Sequence, residues 1–130
     1  MLLRLYNGGT TLTLSGDGTA HLGSTYFPTR GDGNEVTETA VLVLEGTAAV
    51  IQAATQAIEQ MLEDARIRNA TGSAKSYVTF TPQDSGNTYR SELLDGFLTW
   101  SEDSSKRRLK STTNTVEVAV TWTRKDWWEG

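Results

Sequence analysis

Hydrophobic positions along this chain follow two periods. From about Thr47 to Arg68 they recur at helical spacing, and Ile51, Ala54, Ile58, Met61, Leu62 and Ala65 make one apolar stripe. Elsewhere apolar and polar residues alternate, the mark of half-buried strands. Leu2 to Tyr6 and Thr11 to Leu14 read as the arms of a hairpin around Asn7-Gly8-Gly9, because Asn-Gly accepts the positive φ of a tight turn. Glu35 to Glu45 places Val36, Ala40, Leu42 and Leu44 on one face and Thr37, Thr39, Val41 and Val43 on the other. Its second half is apolar on both faces, which predicts a central strand covered twice. Tyr77 to Pro82 alternates with Val78 and Phe80 on one side, and Thr88 to Trp100 holds one or two strands around a turn or bulge at Asp95-Gly96. The last strand is the cleanest: Val116, Val118, Val120 and Trp122 face one way, Glu117, Thr121 and Thr123 the other. One amphipathic helix must bury its stripe on something, and a sheet is the only partner available. The predicted fold is mainly β with one α-helix: a β-sandwich or barrel flanked by a single helix, in the order β-β-loop-β-α-β-β-β. Its 130 residues fit one domain, 1–130.

Thr47 is the expected N-cap of the helix, without the Glu that would complete a capping box. Arg66 and Arg68 suit its C-terminal dipole, and Gly72 falls a little late for a tight cap. Residues 15–34 read as a long loop with Gly16, Gly18, Gly23, Gly31 and Gly33, and with turns at Asp17-Gly18 and Asp32-Gly33. Loops of that length inside a compact domain are commonly functional. Tyr26, Phe27 and Pro28 sit in its middle. They need something to pack against, either their own sheet or another surface.

Composition narrows the chemistry. There is no cysteine, which excludes disulfides and thiolate metal sites. The net charge of −4 disfavours general nucleic-acid binding, which usually needs a basic face. No apolar run approaches the roughly 18 residues of a membrane span. Met1 to Tyr6 is too short and too soon interrupted for a signal peptide, so synthesis in a cytoplasm without export is expected. His21, the one histidine, has no patterned Asp partner, and neither a zinc site nor a nucleophile–base pair can be built without it. Asp17-Gly18 and Asp32-Gly33-Asn34 lack the alternating ligand register of a calcium loop and read as turns. Arg30-Gly31-Asp32 matches an integrin-recognised tripeptide, a weakly specific match in a Gly-rich loop. Glu59, Glu63 and Asp64 read as a solvated helix face, and Glu102-Asp103 as a loop pair. The expectation is a protein without enzymatic activity, cofactor or metal.

Two clusters remain. Lys106, Arg107, Arg108 and Lys110 hold four of the twelve basic residues, with no aromatic interleaved to stack bases. They read as an exposed loop or a charged contact to a neighbouring subunit. Trp100, Trp122, Trp127 and Trp128 lie near the C-terminus, and Trp122 fits the inward register of the last strand. Trp127 and Trp128, in the C-terminal segment 125–130, follow the end of the alternation. They could stack on sugar rings, anchor a protein interface, or clamp the C-terminus onto the parent sheet.

The element order resembles the tail-tube fold of siphovirus-type phage tails: strands, one central helix, more strands, and a Gly-rich loop before the pre-helix strand. The local sequence is similar as well, in Glu35-Val36-Thr37-Glu38-Thr39 leading to Leu42-Val43-Leu44-Glu45-Gly46-Thr47, in Ala57 to Ala65, in Tyr89 to Gly96 and in Trp128-Glu129-Gly130. The relatives of this kind are tail-tube subunits and the N-terminal belt domain of distal tail proteins. The resemblance implies a structural virion protein, made in the host cytoplasm, that forms or caps the DNA conduit of the tail. It implies hexameric rings joined edge to edge, contacts to other tail proteins, and DNA passing an acidic, Thr-rich lumen without specific binding. Under it the helix packs outside the barrel. Tyr26, Phe27 and Pro28 of the loop, Arg107 and Arg108, and Trp127 and Trp128 become the expected oligomer interface. The alternative from the residues alone is a carbohydrate-binding β-sandwich that uses the C-terminal tryptophans.

Overall fold

The computed structural model describes residues 1–16, 19–82, 86–100, 109–110 and 112–129. Among these residues, seven strands and one helix follow in the order β1 (Leu2–Tyr6), β2 (Thr11–Thr13), β3 (Ala20–Leu22), β4 (Glu35–Gly46), α1 (Ala48–Thr71), β5 (Ser76–Thr81), β6 (Tyr89–Trp100) and β7 (Asn114–Lys125). The strands form one sheet, β2-β1-β5-β6-β7-β4-β3, antiparallel at every pairing and nearly closed into a barrel. The expected class, mainly β with a single flanking helix, is the observed one.

Alternation decides which side each strand buries. Leu3 and Leu5 of β1, Val78 of β5, Leu42 and Leu44 of β4, and Val118, Val120 and Trp122 of β7 all point to one face. α1 lies on that face, chiefly along β6, and seats Ile51, Ile58, Met61, Leu62 and Ala65 in the same hydrophobic core. Full burial of each large aliphatic side chain is worth about 1.5–3 kcal/mol, so this layer is the main source of stability. The close seat of the helix depends on Gly96. A Cβ there would lie 2.8 Å from Leu62 Cδ2 and 2.6 Å from the Thr121 carbonyl oxygen. The opposite face carries threonine ladders, with Thr37 to Thr123 and Thr39 to Thr121 hydroxyl contacts of 3.0 Å each.

Several boundaries depart from the sequence reading. α1 continues to Thr71, so Gly72 is its C-cap: at φ 71° its N–H donates to the Arg68 carbonyl. Thr55 rather than Ala54 completes the buried stripe, its hydroxyl bonded to the Gln52 carbonyl. Of the two readings of Asp95-Gly96, turn or bulge, the bulge holds: β6 is one strand whose register shifts between Leu93 and Asp95. The 15–34 stretch is not all loop, because β3 pairs His21 with Val43 and its neighbours with Leu42 and Leu44. Three residues are too few for a readable alternation. As a result β4 is second from the edge, not central. Its outward Val41 and Val43 are only half-buried, with Gly23 packed against them.

A buried ion pair joining loop and C-terminal segment

Two charged residues occupy inward positions among the apolar ones. Glu38 lies between Val36 and Ala40 on β4, and Arg124 follows Trp122 on β7. Arg124 is fully buried and Glu38 nearly so. Arg124 Nε donates to Glu38 Oε1 at 2.7 Å and Nη2 to Oε2 at 3.3 Å. Trp122 Nε1 donates to Oε1 at 3.0 Å, the Thr29 backbone N–H to Oε2 at 2.9 Å, and the Tyr26 hydroxyl donates to Oε1. Arg124 also donates to the carbonyls of Thr29 at 2.9 Å and Lys125 at 2.8 Å. A buried charge survives only when paired and hydrogen-bonded, and both members of this pair meet that condition.

The electrostatics follow from these contacts. Burial alone would raise the Glu38 carboxyl, but hydrogen bonds from Arg124, Tyr26 and the Thr29 backbone, with the Arg124 charge, hold it below its ordinary value. Tyr26 is pushed far upward, first by burial and then by its bond to the Glu38 carboxylate and by that carboxylate's charge. Both groups therefore keep the charge state the network needs: Glu38 ionised and Tyr26 neutral.

This cluster ties down the loop and the C-terminal segment together. Tyr26 packs edge-on against Phe80 at 5.3 Å and beside Trp122 at 6.0 Å. Trp128 packs against Phe80 at 6.0 Å with the rings tilted by 48°, and lies 4.4 Å beneath the Arg124 guanidinium. Asp126 accepts the backbone N–H groups of Gly31 at 2.8 Å and Gly33 at 2.7 Å, and those bonds lower its carboxyl. Arg90 and Glu129 exchange backbone hydrogen bonds of 2.9 and 2.8 Å. Between the two segments lies a cavity of about 650 Å³ walled by Pro28, Phe80, Pro82, Tyr89 and Trp128, with Arg30 and Asp126 also lining it.

The predicted interface residues divide accordingly. Tyr26 is corrected: its ring is 5% exposed and belongs to the core, because Glu38 gives its hydroxyl a buried partner. Phe27, the next residue, points out at 77% exposure, and Trp127 at 51%. Pro28 and Trp128 are half-buried in the cavity wall. Arg107 and Arg108 lie outside the described residues. The sequence places Phe80 on the Val78 side of its strand and gives no role to Glu38, Arg124, Tyr89 or Asp126. Parity could have found the first two, since each strand carries one charge in an otherwise apolar inward row, and the two charges are opposite. Tyr89 and Asp126 carry no such signal.

Among the described residues, no three His, Asp or Glu side chains gather where they could hold a metal ion. No helix among them is long and apolar enough to cross a membrane. The polar side of α1 carries an exposed Glu63–Arg66 ion pair and a Gln60–Asp64 hydrogen bond of 2.9 Å. No family model, no curated protein and no solved structure matches this chain.

Proposed function

We propose that this chain is a structural subunit of a phage tail, of the tail-tube or distal-tail kind, that closes into rings around a DNA conduit. The observation that carries the reading is the convergence of the loop and the C-terminal segment on one surface. That surface is held rigid by the Glu38–Arg124 pair, yet leaves Phe27 and Trp127 largely exposed. Rigid exposed aromatics are the usual anchors of protein interfaces. The edge strands β2 and β3 have only three residues each, which leaves specificity to side chains rather than to open backbone. Negative-stain imaging with light scattering across a concentration series tests the proposal. Rings or tubes with a central hole support it. A particle that stays monomeric throughout, and is indifferent to Phe27→Ser, counts against it.

The aromatic cavity favours a second reading, a carbohydrate-binding module. Phe80, Tyr89 and Trp128 could stack a sugar ring while Arg30 and Asp126 bond its hydroxyls. A glycan array read by tryptophan fluorescence tests it, and binding by the monomer would favour this reading over the first.

A further inference from the structure

The helix-free face of the sheet carries a separate polar cavity. Strand register aligns Arg4 of β1, Thr79 of β5 and Arg90 of β6 in one row. Directly opposed residues of antiparallel strands lie about 4.5–5.5 Å apart, so the two arginines flank Thr79 on the same face. With Tyr6, Thr11 and Thr88 they line a cavity of about 280 Å³.

The two guanidinium groups differ. Arg90 is engaged: its Nε donates to Glu129 Oε2 at 3.1 Å, and its Cζ lies 4.4 Å over the Tyr77 ring. Glu92, two residues on and on the same face, reaches toward Lys75 at 4.0 Å. Arg4 pairs with no carboxylate among the described residues, and its Nε is buried without a hydrogen-bond partner. A guanidinium is always charged, and a buried donor without an acceptor costs free energy until one arrives. Thr79 offers a hydroxyl between the two cations. The arrangement lacks a compact acceptor with several negative oxygens.

We propose that this cavity binds an oxyanion of the phosphate class, with Arg4 as its principal ligand, Thr79 as a hydroxyl donor and Arg90 as a second positive charge. The inference is independent of the ring-assembly reading and stands or falls without it. The ion could be free phosphate or the phosphate group of a larger small molecule, and the chemistry recognised is the same.

The test is an amide chemical-shift titration of the full chain with inorganic phosphate at constant ionic strength, with chloride as the control. Saturable shifts centred on Arg4, Thr79 and Arg90 are expected. Arg4→Met, which keeps the apolar stem, should weaken binding by at least about tenfold, the value of one charge-assisted hydrogen bond. Thr79→Val should weaken it without removing a charge, which guards against a folding defect in the first variant. A parallel titration with a nucleoside monophosphate separates the sources. Equal affinity means the phosphate group alone is read, and tighter binding with shifts spreading to Tyr6 and Tyr77 means an ester. Shifts that never saturate, that chloride reproduces, or that survive Arg4→Met overturn the proposal.

Discussion

Arg124 and Glu38 are diagonal neighbours on the buried face of the β7–β4 ladder, where Glu38 opposes Trp122 and Arg124 opposes Val36. Their two-pronged contact sits where the sheet, the loop and the C-terminal segment meet. Removing one partner leaves the other charged and buried. Arg124→Met should therefore cost about 3–5 kcal/mol in chemical denaturation. Adding Glu38→Gln should recover part of that loss, since the residue left behind is neutral and still accepts from Trp122. A single variant within 1 kcal/mol of the parent would show that water replaces the arginine.

The same network should titrate from both ends of the pH scale. Glu38 has a folded value below its ordinary one, so its contribution is complete above the unfolded value and is lost as pH falls through the folded value. Tyr26 has a raised folded value, so its contribution is complete below the ordinary tyrosine range and falls as pH rises beyond it. Melting temperature should decline in acid and again in strong alkali. Glu38→Gln should flatten the acid limb, and Tyr26→Phe the alkaline one. Profiles unchanged by both variants would assign the limbs to other groups.

Neighbouring aromatics in the loop should behave oppositely. Tyr26→Phe removes a buried donor to a charged acceptor and should cost about 1–3 kcal/mol. Phe27→Ser, at a position 77% exposed, should leave the melting temperature unchanged and weaken any self-association seen by light scattering. Reversed results would put Phe27 in the core.

Gly96→Ala tests the seat of the helix. Its new methyl would meet a backbone carbonyl oxygen, which cannot step aside as a side chain can. Overpacking of this kind costs about 1–3 kcal/mol. Unaltered stability would mean that both Leu62 of α1 and the Thr121 carbonyl of β7 lie further from Gly96 than described.

Asp126→Asn should loosen the loop without unfolding the sheet. Hydrogen exchange at the Gly31 and Gly33 amides should quicken, because a neutral amide is a weaker acceptor than a carboxylate. The wild-type loop should show the same quickening as pH drops through the depressed Asp126 value. Exchange at those two amides that ignores both changes would show that other contacts hold the loop.

Much of the fold was legible because it rests on periodicity. The alternation in Val116, Val118, Val120 and Trp122 and the stripe from Ile51 to Ala65 each have one physical explanation, burial against a common core. The sequence reading stopped where the pattern was too short or carried the wrong chemistry. β3 offers three residues, barely more than one period of a strand pattern. Glu38 and Arg124 obey the period but break the polarity, and each is intelligible only beside the other, 86 residues apart. The neighbours Tyr26 and Phe27 look alike in composition. Their opposite fates depend on a carboxylate that only the folded chain brings near.

The place of β7 in the sheet sets an order of events. β1, β2, β5 and β6 form one hydrogen-bonded group and β3 with β4 another, and β7, which follows them all in the chain, is the sole strand between the two. Until it inserts, Glu38 has no arginine, the Thr29 carbonyl lacks its guanidinium donor, and Trp128 is not brought to Phe80. Pairings so distant in sequence form late in folding. The surface made by the loop and the C-terminal segment is thus complete only when the whole sheet is, because the counter-charge that neutralises Glu38 arrives with the last strand.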